Sequence, residues 1–210
     1  LQDYIDSFKD AVDRKYSTMV CKLASRLTHP SREEETSLGN LVADAFAGSA
    51  QSDIALIGSG SIRVKEIGPL VTLRDFKACF PYDDFLNRYT INGKRLRQVF
   101  NHIMRLDNRD GEGECYQVNG ALRVIYDDSK ASLESISVNG EAVDDGKLYT
   151  VALQGYHFNN SKDYLGISNE ELLENGEHKV ITTSAQEVLE EFLRNNQNIS
   201  RKIEGRLVYK

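Results

Sequence analysis

The stretch Asp53-Ile54-Ala55-Leu56-Ile57 runs without a break into Gly58-Ser59-Gly60-Ser61-Ile62-Arg63, and this junction constrains the fold more than any other part of the chain. A short, nearly continuous apolar run is the pattern of a strand buried on both faces. The small residues after it let another group approach the backbone closely. Around this strand, helical stripes alternate with strand-like runs. The stripes are Leu38, Leu41, Val42, Ala45 and Phe46, then Leu96, Val99, Phe100, Ile103 and Met104, then Val188, Leu189, Phe192 and Leu193. The runs cover 85–91, 115–118, 121–126, 133–138 and 148–153, with further strands at 180–182 and 206–209. The order is not strict βαβ. The expected class is therefore a mixed α/β (α+β) fold, with a mixed β-sheet covered by helices.

Local punctuation refines this. Thr72 with Asp75 forms a capping box for a short helix through Cys79, which Pro81 ends, and Ser184 with Glu187 forms a second box. Thr36 or Ser37 caps the helix of the first stripe. Asn139-Gly140 marks a hairpin and Asn92-Gly93 a turn. Residues 105–114 are polar and glycine-containing, as in a surface loop, and 155–162 form a polar, aromatic-bearing loop directly after a strand. At the start, Tyr4, Phe8, Val12, Tyr16 and Met19 follow a helical spacing. Two readings stand for it: a terminal helix packed on its own domain, or the remaining half of an interdomain helix. The division expected on the second reading is a linker-helix segment over 1–28 and a domain over 29–210.

Composition closes off several functions. The 210 residues carry 26 Lys+Arg against 32 Asp+Glu, a formal charge of -6. A phosphate-backbone binder usually carries a basic stripe, so no nucleic-acid partner is expected. No run of about 18 apolar residues exists, so no membrane span is expected. Cys21, Cys79 and Cys115 are too few and scattered for a disulfide scaffold or zinc knuckle. Four histidines, none within helical reach of another, supply no metal centre, and no cofactor is expected in this domain. No basic n-region or apolar h-region follows Leu1, so no targeting segment is expected.

Three clusters have the residue types for chemistry. Gly60 and Arg63 follow the buried strand, where a backbone ligand site and an anion-holding arginine are possible. The spacing is neither a Walker loop nor a dinucleotide fingerprint, and a tight turn with a solvent-facing Arg63 is the simpler reading. Phe80-Pro81-Tyr82-Asp83-Asp84 places an aromatic beside two carboxylates. Paired carboxylates serve acid–base work or metals, yet adjacent ones usually diverge and decorate a turn. Gly155-Tyr156-His157-Phe158-Asn159-Asn160 carries three aromatics that cannot all point one way, so at least one faces out. His157 has no nucleophile at a recognisable spacing and is expected to be structural or peripheral. Cys79 and Cys115 are expected as small buried residues.

In order, these segments resemble the C-terminal domain of the 5'-nucleotidases. The likeness runs through Leu38-Gly39-Asn40-Leu41-Val42-Ala43-Asp44-Ala45, the junction at 53–63, and Pro81-Tyr82. It continues through Asn92-Gly93-Lys94-Arg95-Leu96, Tyr116-Gln117-Val118-Asn119-Gly120 and Tyr149-Thr150-Val151-Ala152, about residues 30 to 165 in all. The resemblance implies the substrate-binding domain of a metal-dependent phosphohydrolase of nucleotide catabolism. An N-terminal metallophosphoesterase domain, joined by a helix, would hold two divalent metal ions. This chain lacks that domain's metal motifs and is expected to be inactive alone. The partner would be a nucleoside monophosphate or related nucleotide, in an extracellular, periplasmic or cell-surface setting. The alternative is a non-catalytic nucleoside- or protein-binding surface module of the same fold.

Carried over residue by residue, the resemblance puts Tyr82 and Tyr156 on the two faces of the base. Arg63 becomes the loop arginine, and Arg32 a second basic position. Gly60 and Asn159 join them as substrate-binding residues. Three positions depart from the family pattern. Gly58 stands where an Asn often opens the glycine loop. Asp84 stands where an Asn often bonds the base, and a carboxylate there would favour an edge presenting donors. The usual Asn-Gly-Gly-Asp-Gly-Tyr loop is here Asn159-Asn160-Ser161-Lys162-Asp163-Tyr164. Ungapped, Lys162 falls on the ribose-binding Asp; shifted by one residue, Asp163 does, and Asp163 is the expected one.

Overall fold

A computed structural model describes residues 2–111 and 113–210. The elements in chain order are α1 (Gln2–Tyr16), β1 (Met19–Lys22), β2 (Leu27–Thr28), α2 (Ser37–Ala50), β3 (Ile54–Gly58), β4 (Glu66–Ile67) and β5 (Leu70–Thr72). Then come α3 (Leu73–Cys79), β6 (Leu86–Asn92), α4 (Gly93–Ile103), β7 (Tyr116–Val118), β8 (Leu122–Asp127), β9 (Ser132–Val138) and β10 (Glu141–Ala142). The chain continues with β11 (Leu148–Gln154), α5 (Gly155–Asn159), α6 (Ser161–Tyr164), α7 (Asn169–Leu172), β12 (Lys179–Thr182), α8 (Ala185–Asn195) and β13 (Leu207–Tyr209).

The apolar run at 54–57 is a central strand of the five-stranded sheet, whose order is β12-β6-β11-β3-β7. Every residue of β3 is buried. Alternation sends Ala55 and Ile57 into one core with α2 and α8, and Ile54 and Leu56 into a second core with α4 and the four-stranded sheet β10-β9-β8-β13. A strand covered twice has no polar face, which is why the run shows no polar alternation. The class is thus the expected mixed α/β fold with mixed sheets covered by helices. Phe46 from α2 is fully buried in the first core and packs edge-on against Phe80 at 5.8 Å. Truncating such a side chain typically costs ~3–5 kcal/mol.

Register brings four chain segments to one edge of the large sheet. β3 and β11 are parallel, so both end at this edge, at Gly58 and Gln154. β6 and β7 run antiparallel to them and begin there, with Gln154 opposite Leu86 and Gly58 opposite Tyr116. Ligand crevices in open α/β sheets form outside strand C-termini, where two parallel strands leave the sheet side by side.

Several local expectations hold and others change. Thr72 and Asp75 form the capping box of α3, and Asn139-Gly140 turns β9 into β10 with both residues at positive φ. Thr36, not Ser37, caps α2, accepting from the Gly39 N–H. The first helix stops at Tyr16, and Met19–Lys22 pairs with β5 instead of extending it. Residues 19–28, grouped with the helix in the sequence expectation, thus contribute the strands β1 and β2. The turn expected at Asn92-Gly93 ahead of a helix is a direct passage from β6 into α4, with Asn92 as the cap, its Oδ1 accepting from Arg95 N–H at 2.9 Å. Ser184 caps α8 through the Glu187 N–H, but its own N–H donates to Thr182 Oγ1, so the reciprocal half of the box is replaced. The loop expected at 155–162 is folded into α5 and the start of α6.

Candidate functional site

The sheet edge opens into a cavity of about 570 Å³ lined by Arg32, Gly60, Ser61, Arg63, Tyr82, Asp83, Asp84, Glu114, Gln154, Tyr156, His157 and Asn159. Seven of the eight sequence candidates are in this lining: Arg32, Gly60, Arg63, Tyr82, Asp84, Tyr156 and Asn159. Asp163 is not. Its side chain is exposed, and its carbonyl accepts a hydrogen bond from His102 Nε2 at 2.8 Å. Lys162 is likewise exposed and outside the lining.

The glycine–serine turn after β3 is a single 3-10 turn over Ser59–Ser61. Buried Gln117 holds it, donating through Nε2 to Ser59 Oγ at 2.8 Å and to the Glu34 carbonyl at 2.9 Å. One buried amide thereby ties the turn to the segment that carries Arg32. Arg63 leaves the turn exposed, donates to the Gly60 carbonyl at 3.2 Å, and lies 5.8 Å from the Tyr82 ring centre. Its guanidinium has no carboxylate within ion-pair distance among the described residues, while Arg32 makes a long 3.9 Å contact to Glu114. A guanidinium with unspent donors beside a cavity is suited to an anion or a polar ring edge.

The aromatic pair comes from two different segments. Tyr82, 57% exposed, sits between α3 and β6; Tyr156, 51% exposed, is on α5 directly after β11. The Tyr156 hydroxyl meets that of Tyr164 at 3.0 Å, and this bond, with some burial, pushes the Tyr156 phenol up to about 12. Tyr156 is therefore neutral at physiological pH, and both tyrosines keep a large ring surface in contact with solvent. Exposed aromatic area of this kind is costly unless something stacks on it.

His157 is the opposite case. It is 2% exposed, its Nδ1 meets the Tyr116 hydroxyl at 3.0 Å, and its Nε2 has no partner. Burial lowers its pKa to about 4, so the ring is neutral. If the Tyr116 hydroxyl donates to Nδ1, no phenol proton is left unpaired, and the ring hydrogen then sits on Nε2. A Cβ at Gly58 would lie 2.5 Å from His157 Cε1 and 2.7 Å from Glu114 Oε1. The volume that a side chain at 58 would need is therefore filled by His157 and Glu114, and a larger residue there would have to displace them. Burial pushes the Glu114 carboxyl up, against the opposing pull of Arg32 and the Gly60 N–H.

Sequence reasoning missed Ser61, Asp83, Glu114, Gln154 and His157 as lining residues. The only signal for most of them was position: each lies within a few residues of a strand end that reaches this edge. Glu114 fell inside a stretch read as surface loop, although its side chain is largely covered. Asp83 and Asp84 diverge as adjacent carboxylates do, toward α8 and α5 respectively. The three cysteines are buried and free, and burial pushes Cys79 up to about 12. Among the described residues no group of three or more His, Cys, Asp or Glu is arranged to hold a metal ion, and the resemblance assigns its two divalent ions to an upstream domain, not to this one. No described helix is long and apolar enough to cross a membrane.

Comparison with known proteins places this geometry. A family model described as "5'-nucleotidase, C-terminal domain" matches residues 16–167. The snake venom 5'-nucleotidase of Naja atra is 29% identical over 127 residues, which is 53% of this chain and 24% of that protein. Endonuclease YhcR of Bacillus subtilis (strain 168) is 30% identical over 170 residues, 73% of this chain and 14% of that one. Among solved structures, a 5'-nucleotidase precursor from Thermus thermophilus superposes with a TM-score of 0.78 at 20% identity, covering 99% of this chain and 42% of that one. The chain thus spans a quarter or less of these curated relatives and under half of the solved structure.

Proposed function

Because the chain belongs to the 5'-nucleotidase C-terminal domain family, we propose that it is the substrate-binding domain of a metal-dependent 5'-nucleotidase-type phosphohydrolase acting in nucleotide catabolism. The observation that carries this reading is the convergence of two half-exposed tyrosines and two incompletely paired arginines on one cavity. Tyr82 and Tyr156 would stack on the base, each contact being worth about 1–3 kcal/mol. Arg63 and Arg32 would take polar or anionic parts of the nucleotide, with Gly60 and Asn159 completing the wall. An upstream metallophosphoesterase domain would supply two divalent metal ions and activate water for attack on phosphorus. The present domain would grip the base and present the ester, and a domain movement would carry it to the metals. On this reading α1 is part of the connecting helix, the setting is extracellular, periplasmic or cell-surface, and this chain alone hydrolyses nothing.

The test is titration of the chain with adenosine, guanosine and their monophosphates, repeated with Tyr82→Ala and Tyr156→Ala. Saturable binding that weakens in both variants supports the reading. Unchanged binding in both removes the stacking role, and metal-dependent AMP hydrolysis by this chain alone would overturn the division of labour. One observation favours the second reading, a non-catalytic nucleoside- or protein-binding module: the Asp163 side chain stands outside the cavity. Hydrolysis assays on the protein with its upstream sequence separate the two.

A further inference from the structure

The two tyrosines sit on separate segments, so their spacing has to be set by something that joins those segments. Asp84 does this with both carboxylate oxygens. Oδ2 accepts the Tyr156 N–H at 2.6 Å, and Oδ1 accepts the Phe85 N–H at 2.7 Å. The approach is possible because residue 155 is glycine: a Cβ there would lie 2.8 Å from Asp84 Oδ1. The backbone reinforces the join, with Gly155 N–H donating to the Phe85 carbonyl at 3.1 Å and Ala185 N–H to the Asp84 carbonyl at 2.8 Å. Asp83 anchors the same segment to α8, accepting from Ser184 Oγ at 2.8 Å and Gln186 N–H at 3.2 Å. Tyr156 is held at its far end as well, by the Tyr164 hydroxyl. An ionised acceptor on a backbone N–H is among the stronger hydrogen bonds a protein makes.

We propose that Asp84 is a positioning residue of the cavity: it ties the segment carrying Tyr82 to the helix carrying Tyr156 and sets the gap between the rings before a ligand arrives. It does not read the edge of the bound ring. This deepens the function proposed above and rests on it for the identity of the ligand. A brace acts on every stacked ligand alike, because it lowers the cost of ordering the rings and not the energy of one base edge. A reader discriminates, since a carboxylate accepts from donors only.

The experiment combines ligand titration with amide spectroscopy on the 210-residue chain. Asp84→Ala is expected to weaken adenosine and guanosine by a similar factor, about tenfold, the size of one charge-assisted bond lost. Asp84→Asn, whose amide oxygen can still accept from Tyr156, is expected to recover most of that loss with the adenosine-to-guanosine ratio unchanged. In a Tyr156→Ala background Asp84→Ala is expected to add little, because the brace acts through Tyr156. Without any ligand, the Tyr156 amide proton is expected to lose its downfield shift and its exchange protection in Asp84→Ala. A roughly tenfold change of the base ratio in either Asp84 variant overturns the proposal, as does an undiminished Asp84→Ala loss in the Tyr156→Ala background. If the unmodified chain binds no nucleoside, the function above fails, and an unmoved, still protected Tyr156 amide in Asp84→Ala overturns the brace.

Discussion

Two polar clusters of this domain contain similar residues and are finished differently. Behind the large sheet, Arg206 is 2% exposed and donates to Asp44 Oδ1 at 2.7 Å, to the Val118 carbonyl at 2.9 Å and, through Nε, to Glu204 at 3.0 Å. Buried Glu35 accepts from Asn40 Nδ2, Glu204 N–H and Arg206 N–H, each at 2.7 Å. Nearly all the hydrogen-bonding atoms there are paired; among the described residues the acceptor Asn40 Oδ1 is buried without a partner. At the cavity, Arg63 has no acid partner among the described residues, Arg32 has a 3.9 Å contact to Glu114 and a long 3.5 Å bond to the Gly113 carbonyl, and Arg32 Nε and His157 Nε2 are buried without partners. The first cluster closes a fold, joining the C-terminal strand to α2. The second leaves hydrogen-bonding capacity and ring surface unused, which is what a binding site does before its ligand arrives.

If that contrast is right, damage to the first cluster should unfold the protein, and damage to the second should cost ligand and not stability. The largest effect is expected for Arg206→Leu, which removes the buried guanidinium from Asp44 and Glu204, leaving Asp44 with Arg201 and the Gly120 N–H and Glu204 with a 3.9 Å contact to Arg123. Removing one partner of a buried pair costs ~3–5 kcal/mol, to be read by urea unfolding. The same cluster predicts an acid limb. Burial alone would raise the Asp44 carboxyl, but the Arg206 bonds, the Gly120 N–H and Arg201 outweigh it and lower the pKa. Its stabilisation is present above the ordinary carboxylate range and lost as pH falls through the depressed folded value.

Next in size is His157. Its folded pKa of about 4 lies below the unfolded imidazole value, so the unfolded chain binds the proton first as pH drops. Stability is fully present above about pH 6.5 and declines toward pH 4, by at most ~3 kcal/mol. His157→Leu should flatten that part of the pH–stability curve; an unchanged slope would falsify the assignment of a buried neutral ring.

Smaller effects on folding are expected across the cavity. Tyr82→Ala and Tyr156→Ala should each weaken nucleoside binding by roughly 1–3 kcal/mol, while the melting temperature moves little, since both rings are half in solvent. If either variant unfolds like Arg206→Leu, the two clusters do not differ as described. The smallest stability change is expected for Arg63→Ala, within about 0.5 kcal/mol as for exposed sites without special contacts. Its loss should instead appear as weaker monophosphate binding and a shallower salt dependence, measured by titration at two ionic strengths.

Much of this was legible in the chain. The run at 54–57 required a twice-covered strand because apolar residues on both faces leave no other solution. The Thr72–Asp75 box and the Asn139-Gly140 turn were readable because their chemistry is local, complete within four residues. Seven candidate residues were found because the ordered motifs resemble a known family; on spacing alone a turn or loop was the simpler reading of each cluster. What was misread depends on contacts distant in the chain. The chain passes at Asn92-Gly93 straight from β6 into α4, with Gly93 pressed against the Asp144 carbonyl, 2.0 Å from where a Cβ would be. The segment at 155–162 looks like a loop because its helices are held by Asp84, Tyr164 and the strand before them, not by helix propensity.

From the chain alone came the class of the fold, the buried strand and the residue types that stand at its ends, because these follow from periodicity and from local hydrogen bonding. It put Asp163 in the site, where the fold leaves both Asp163 and Lys162 outside the cavity, and it did not tell what would occupy the space beside Gly58. Those depended on which distant segments meet. The parallel pairing of β3 with β11, and the antiparallel β6 and β7, bring residues 32, 63, 82, 114 and 156 to a single edge. Contacts between positions so far apart in the chain are set by packing the whole sheet, and no local pattern encodes them.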